Sequence, residues 1–105
     1  MKWKLGLLLS RPPSHQSATT VQELAQAALV HGYEVYLYLI DEGVKNIHEV
    51  RYHKLAEAGV KVFVCAYGCQ QHHVVTDGLD QKFALCGLVV LSGIIDACDR
   101  FLCFT

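Results

Sequence analysis

The sequence contains few charged residues and no excess of charge of either sign. Asp, Glu, Lys and Arg together make up 18% of the 105 residues, and the formal net charge is −1. The charged residues are scattered along the chain instead of forming blocks. Such a protein lacks the basic field that draws phosphate backbones to a surface. Direct binding of nucleic acid is therefore not expected.

Long hydrophobic runs are also missing. The longest, residues 83–95, spans about 13 residues, whereas a membrane-spanning helix needs about 20. The apolar segment 3–9 runs into Arg11-Pro12-Pro13 without a small-residue cleavage site, so it predicts a first strand and not a signal peptide. We expect neither a membrane span nor export.

The five cysteines do not indicate a disulfide framework. Their number is odd, and no two of them form a Cys-x-x-Cys pair. In a chain without an export signal, such cysteines are usually reduced thiols, which predicts a cytoplasmic location. Three of them stand in apolar segments, where a thiol usually packs like a small hydrophobic side chain: Cys86, Cys98 and Cys103.

Hydrophobic residues account for 52% of the sequence, which exceeds the usual balance of a globular protein. Residues 1–105 are enough for one domain and too few for two. The excess favours a sheet covered on both faces, together with further apolar surface buried between subunits.

Strand-like and helix-like segments alternate along the chain. Residues 34–40 are apolar on both alternating sets, as in a strand buried on both faces, and residues 18–29 have the spacing of a helix. Alternation predicts right-handed crossovers and an α/β fold with a mainly parallel sheet. The other predicted strands are 3–9, 60–64 and 100–104; the other predicted helices are 50–59 and 85–97; and Thr20 with Glu23, and Asn46 with Glu49, have capping-box spacing.

Cys65 is the first candidate for a chemical role. It ends the apolar run Val62-Phe63-Val64 and precedes a polar turn. Reacting groups of parallel α/β sheets gather beyond the carboxyl ends of the strands, and a helix beginning there favours a thiolate. The alternative is that Cys65 is a small buried hydrophobic residue.

The residues that follow could complete a site. Cys69 lies four positions after Cys65, so it is a candidate resolving thiol, metal ligand or packing residue. His72 or His73 could supply a positive charge near the thiol or join a zinc site. Tyr67 and His15 are candidate pocket residues, because both lie beyond predicted strand ends.

Several segments, taken in order, carry a family resemblance. Residues 31–35, His-Gly-Tyr-Glu-Val, are followed by Asp41-Glu42-Gly43-Val44; a strand then ends at Cys65; and the chain closes with Cys-Asp-Arg-Phe-Leu-Cys-Phe at 98–104. With Gly87-Leu88 and Leu91 between them, these segments resemble the DsrE/TusD family of small sulfur-relay proteins over nearly the whole chain.

The resemblance implies a three-layer α/β/α domain over residues 1–105, with a mainly parallel sheet of about five strands in a flavodoxin-like arrangement. It also implies a sulfur carrier or sulfurtransferase in which Cys65 holds sulfur as a persulfide. The partners would be sulfur donor and acceptor proteins or small persulfides. Family members form dimers, trimers or hexamers, so a homo-oligomer, or a hetero-oligomer with paralogues, is expected.

Two other functions stay open on the sequence. One is a non-catalytic regulatory or partner-binding subunit of the same fold, and the other is a Cys/His metal-binding module at Cys65, Cys69 and His72 or His73. The hydroxyl-rich segment 10–20 lacks the glycines and the lysine of a phosphate-binding loop, so nucleotide hydrolysis is not expected. No bound cofactor is expected either.

Overall fold

The predicted strands lie side by side in one parallel sheet. The protein is described here by a computed structural model that covers residues 2–105. The strand order is β4-β3-β2-β1-β5, so the chain adds three strands on one side of β1 and then returns to add the last one on the other side. The strands are β1 (Lys4–Leu9), β2 (Glu34–Leu39), β3 (Lys61–Cys65), β4 (Phe83–Cys86) and β5 (Arg100–Phe104).

The crossovers between the strands are helical. In chain order they contain α1 (Gln16–Val30), a 3₁₀ helix (Asp41–His48), α2 (Val50–Ala58), α3 (Ala66–Gln71) and α4 (Leu88–Ala97). The first three crossovers lead from β1 outward to β4. Their helices lie in one layer, because α1 contacts α2 and the 3₁₀ helix contacts both α2 and α3. The crossover through α4 runs in the reverse direction, so a right-handed connection carries α4 to the opposite face.

One face of the sheet forms the main core. Leu7 pairs in register with Leu37, which in turn pairs with Val62, and all three side chains are buried. Residues that are register partners on parallel strands point to the same side. Val21 and Ala25 of α1 belong to the same buried cluster. The apolar stripe predicted for the first helix therefore packs on this face.

The other face is covered less completely. Gly6 lies on this side, where an added Cβ would collide with Phe101 and approach the Sγ atom of Cys98. Ile94 is the buried hydrophobic residue of α4, whereas Leu88, Val89 and Ile95 are 60%, 87% and 46% exposed. Helices therefore lie on both faces of the sheet, which confirms the predicted three-layer α/β/α fold.

The sequence prediction was wrong about the segment 85–97. It was predicted as one helix, but Phe83–Cys86 forms β4 and the helix begins only at Leu88. The segment-by-segment prediction located four strands and missed β4, which completes the sheet of five. Gly87 separates the two elements as the residue that precedes α4.

The predicted capping boxes were also wrong. α1 begins at Gln16, and His15 caps it: Nδ1 of His15 accepts a hydrogen bond from the Ser17 N–H at 3.0 Å. Asn46 lies inside the 3₁₀ helix, and its side-chain amide donates to the carbonyl oxygens of Arg11 and Gly43. Thr20 lies inside α1, where its hydroxyl donates to the Gln16 carbonyl, so neither Thr20 nor Asn46 starts a helix.

No helix within residues 2–105 is both long enough and apolar enough to cross a membrane.

Candidate functional site

Cys65 lies where β3 ends and α3 begins. Its Sγ atom accepts a hydrogen bond from the backbone N–H of Gly68 at 3.4 Å, so the thiol caps the first turn of α3. Only 3% of the residue is exposed. A backbone donor aimed at sulfur stabilises the thiolate more than the thiol. The geometry thus provides a sheltered sulfur atom with one fixed hydrogen-bond donor.

The position of α3 depends on Gly68. This residue is buried, and a Cβ at this position would come within 3.0 Å of a Val44 methyl carbon and 3.3 Å of the Asp41 nitrogen. The missing side chain lets α3 approach the 3₁₀ helix closely. Because the Gly68 N–H is also the donor to Cys65, this close packing fixes the donor.

Two further residues lie next to Cys65 on the face that carries α4. Cys86 is the register partner of Cys65 on β4, and Tyr38 on β2 occupies the same face. The Tyr38 hydroxyl donates a hydrogen bond to the carbonyl oxygen of Gly87, the residue that follows Cys86, at 3.1 Å. Burial raises the pKa of Tyr38 well above its ordinary value, and the two thiols raise it further. We call these three residues the Tyr38–Cys65–Cys86 cluster.

Burial also affects the other thiols. It raises the pKa of Cys69, and the neighbouring Cys65 adds to this effect. Burial raises the pKa of Cys86 as well. A raised pKa leaves less thiolate at neutral pH, so a thiol of this kind reacts slowly unless its partner sulfur is held beside it.

Cys69 lies in the wall of a separate cleft. It is buried in α3, and together with Tyr67 and Leu85 it lines a cleft of about 520 Å³. Leu85 is next to Cys86 along β4, so its side chain points to the opposite face of the sheet from the cluster. Tyr67 is 69% exposed at the rim. The structure therefore places Tyr67 and Cys69 beside this cleft. Cys65, in contrast, belongs to the Tyr38–Cys65–Cys86 cluster on the other face of the sheet.

The predicted histidines do not gather around the thiol. Nε2 of His72 lies 2.7 Å from Oδ1 of Asp41. His73 is exposed and has a positive φ of 56°, and His15 is the cap of α1. Within residues 2–105, no group of three or more His, Cys, Asp or Glu side chains is arranged to hold a metal ion. The Cys/His metal module therefore finds no support in the geometry.

A second pocket lies at the other end of the sheet. It has a volume of about 250 Å³ and is lined by residues that include Trp3, Tyr33 and Arg100. These residues stand at the amino-terminal ends of the strands, whereas Cys65 is at the carboxyl end of β3. This pocket is therefore separate from the cluster.

A comparison with models of protein families finds a match over nearly the whole chain. The model of the DsrE/DsrF-like family matches residues 4–104. The chain belongs to this family. The resemblance described from the sequence segments is thereby confirmed.

A solved structure shows the same fold as this DsrE/DsrF-like chain. The crystal structure of the YchN protein from E. coli superposes with a TM-score of 0.85, covering 99% of this chain and 100% of that chain. The sequences are 18% identical, so the likeness concerns the fold. The comparison with curated proteins found no significant match.

Sequence reasoning about this DsrE/DsrF-like chain missed Tyr38 and misjudged the surroundings of Cys86. The aromatic ring and polar tip of Tyr38 suit a core, a pocket wall or a subunit interface equally well, so the sequence did not place it beside Cys65. Cys86 was assigned to a helix. Gly87 was the available signal, because a glycine after a short apolar run marks a break between elements. The pairing of Cys86 with Cys65 depends on strand register, which the sequence does not reveal.

Proposed function

We propose that the protein is a cytoplasmic sulfur carrier in which Cys65 accepts a sulfane sulfur as a persulfide and passes it on. The main support is the placement of Cys65: it ends a central strand at the carboxyl edge of the sheet, and Gly68 donates a hydrogen bond to its sulfur. Membership of the DsrE/DsrF-like family supports a role in sulfur relay.

The transfer requires a thiolate at Cys65. The thiolate attacks the outer sulfur of a donor persulfide, a new S–S bond forms at Sγ, and the donor leaves as its own thiolate. The hydrogen bond from the Gly68 N–H holds the sulfur of Cys65 in place at the start of α3. Burial then shields the product, because oxidation of sulfur depends on exposure as well as on thiolate character.

Intact mass spectrometry after incubation with glutathione persulfide tests the proposal. The protein is expected to gain about 32 Da, the mass of one sulfur atom, and Cys65→Ser is expected to lose this gain. Cys103→Ser is the matched control, because Cys103 is an exposed thiol on β5. Equal loading of Cys65→Ser and the parent protein would refute a carrier role for Cys65.

A non-catalytic subunit of the same fold is the alternative outcome. In that case neither the parent protein nor the variants take up sulfur, and Cys65 reacts with iodoacetamide only after unfolding. The 3% exposure of Cys65 is the observation that favours this alternative. The mass measurement separates the carrier from the non-catalytic subunit, because only a carrier gains sulfur when the folded protein is incubated with the persulfide donor.

We further propose that the protein forms homo-oligomers through the outer surface of α4. Leu88, Val89 and Ile95 form much of this surface, and all three are strongly exposed. Neighbouring apolar side chains in contact with water favour association. A second copy of the chain is the proposed partner.

A further inference from the structure

The face of the sheet opposite the main core brings a second thiol to Cys65. The register of β3 and β4 pairs Val64 with Leu85 and Cys65 with Cys86, so the two cysteines are the last partners of the ladder. Register partners on parallel strands point to the same side. Cys86 is half-buried, and its Sγ lies 3.8 Å from the Val64 carbonyl oxygen, directly beside Cys65 along β3.

The separation of the two cysteines suits a disulfide. Neighbouring strands run about 4.8 Å apart, which lies within the range of Cα separations, about 4.4–6.8 Å, that disulfides span. For a disulfide to form, the Cβ atoms of Cys65 and Cys86 must come roughly 1 Å closer together than in an ordinary strand pair. Both residues are the last of their strands and form the last pair of the ladder, so no later pair of strand residues restrains this approach.

We infer that Cys86 is the resolving thiol of the carrier, which attacks persulfidated Cys65 and releases the carried sulfur as sulfide. This inference rests on the proposed function. It adds a second reacting residue and a product, and it assigns to Cys86 the role that the sequence had suggested for Cys69.

The step balances as a thiol–disulfide exchange. Sγ of Cys86 forms a bond with Sγ of Cys65, the bond between Sγ of Cys65 and the outer sulfur breaks, and that sulfur leaves as HS⁻. The proton lost by the Cys86 thiol accounts for the second hydrogen of H₂S. A dithiol reductant then supplies two electrons and two protons, which restores both thiols.

Cys69 is less suited to this role. It belongs to the wall of the cleft with Leu85, and strand neighbours such as Leu85 and Cys86 point to opposite faces. Tyr38, in contrast, lies on the same face of the sheet as Cys65 and Cys86, and its hydroxyl bonds to Gly87, the residue after Cys86.

The test follows loaded protein after the donor has been removed. Parent protein, Cys86→Ser and Cys69→Ser are loaded with glutathione persulfide without oxygen, desalted and sampled over time for sulfide, intact mass and free thiols. The parent protein and Cys69→Ser are expected to lose the added 32 Da, release sulfide and end with two fewer thiols that react with iodoacetamide after unfolding. Cys86→Ser is expected to keep the added sulfur at least tenfold longer.

Peptide mapping identifies the bond. Trypsin cuts after Lys61, Lys82 and Arg100, so Cys65 and Cys86 fall in different peptides, residues 62–82 and 83–100. Fragment ions of the joined peptides distinguish Cys65 from Cys69 and Cys86 from Cys98. Dithiothreitol is expected to separate the peptides and to return the protein to a state that can be loaded again.

The outcomes separate the two proposals. If no protein gains 32 Da, the proposed carrier function fails. If the parent protein loads but retains its sulfur as long as Cys86→Ser does, or if the bond joins Cys65 to Cys69, the carrier function stands and the role of Cys86 is refuted.

Discussion

The hydroxyl of Tyr38 donates a hydrogen bond to the carbonyl oxygen of Gly87 at 3.1 Å, and so joins β2 to the residue that precedes α4. Tyr38 is completely buried. Gly87 directly follows Cys86, at the point where the chain leaves β4 for the helix. The bond therefore fixes the start of α4 above the carboxyl edge of the sheet and next to the cluster.

Tyr38→Phe is expected to lower the free energy of unfolding by about 1 kcal/mol, the usual contribution of one hydrogen bond. The ring still fills its site, so little packing is lost. Urea unfolding measures the change. Tyr36→Phe is the control, because its hydroxyl interacts with Glu34 and Lys61 in a partly exposed position, and a smaller loss is expected there. An equal or larger loss for Tyr36→Phe would contradict this view of the Tyr38 bond.

The sequence was sufficient for the layers of the fold but not for its fourth strand. Residues 34–40 could be identified as a central strand because both alternating sets are apolar. In the run 83–95, in contrast, a buried strand and a buried helix have the same composition, so periodicity does not separate them. Gly87 marks the boundary, but the order of strands depends on packing between distant segments.

The candidate site shows the same limit. Cys65 was identified from its place after a strand, which is local information. His72 pairs instead with Asp41, a residue with a positive φ of 53° that is 31 positions earlier in the sequence. The partnership of Cys65 with Cys86 also depends on register between strands. Contacts of this kind follow from the fold and not from spacing in the sequence.

Gly43→Ala is expected to lower the free energy of unfolding by at least about 2 kcal/mol, the range seen when a packed core is overfilled. A Cβ at Gly43 would overlap the backbone carbonyl oxygen of Leu9, because the 3₁₀ helix packs directly against the end of β1. Backbone atoms cannot move aside as a flexible side chain can. Thermal and urea unfolding measure the loss.

Gly93→Ala is the matched control for this prediction. Gly93 lies inside α4, and nothing is within 4 Å of an added Cβ. Alanine is favoured over glycine in helices by up to about 1 kcal/mol, so the variant is expected to be slightly more stable. A loss in Gly93→Ala as large as that in Gly43→Ala would show that the close approach to Leu9 is not the cause.

The ion pair between Glu34 and Lys61 predicts a dependence of stability on pH. Their oxygen and nitrogen lie 2.9 Å apart. The hydrogen bond from Lys61 lowers the pKa of Glu34 below its ordinary value of 4.5, and Tyr36 adds to this effect. A carboxyl with a lowered pKa stabilises the fold above its unfolded-state pKa, and the contribution disappears as the pH falls through the folded-state pKa.

Glu34→Gln is therefore expected to be less stable than the parent protein at neutral pH, and the difference is expected to vanish as the pH falls below 4.5. Added salt reduces the difference, because the pair is exposed to solvent. Urea midpoints at several pH values measure it, with Glu57→Gln on the outside of α2 as the control. A difference that persists unchanged at pH values well below 4.5 would have another origin.

Val89→Glu is expected to dissociate the proposed homo-oligomer. Val89 is 87% exposed near the start of α4, beside the exposed Leu88. A carboxylate there would have to lose its water when a second copy packs against α4, and a buried unpaired charge is strongly unfavourable. Light scattering during size-exclusion chromatography is expected to show a mass near that of one 11.7 kDa chain for the variant and a multiple of it for the parent protein.

Val50→Glu controls for the new charge itself. Val50 is 69% exposed and begins α2, so both substitutions place a carboxylate in the first turn of a helix, where negative charge is tolerated or favourable. The helix α2 belongs to the other layer, so this variant is expected to keep the mass of the parent protein. The opposite result, in which Val50→Glu dissociates the assembly and Val89→Glu does not, would contradict the proposed α4 interface. Subunits would then contact each other through the layer that contains α1 and α2.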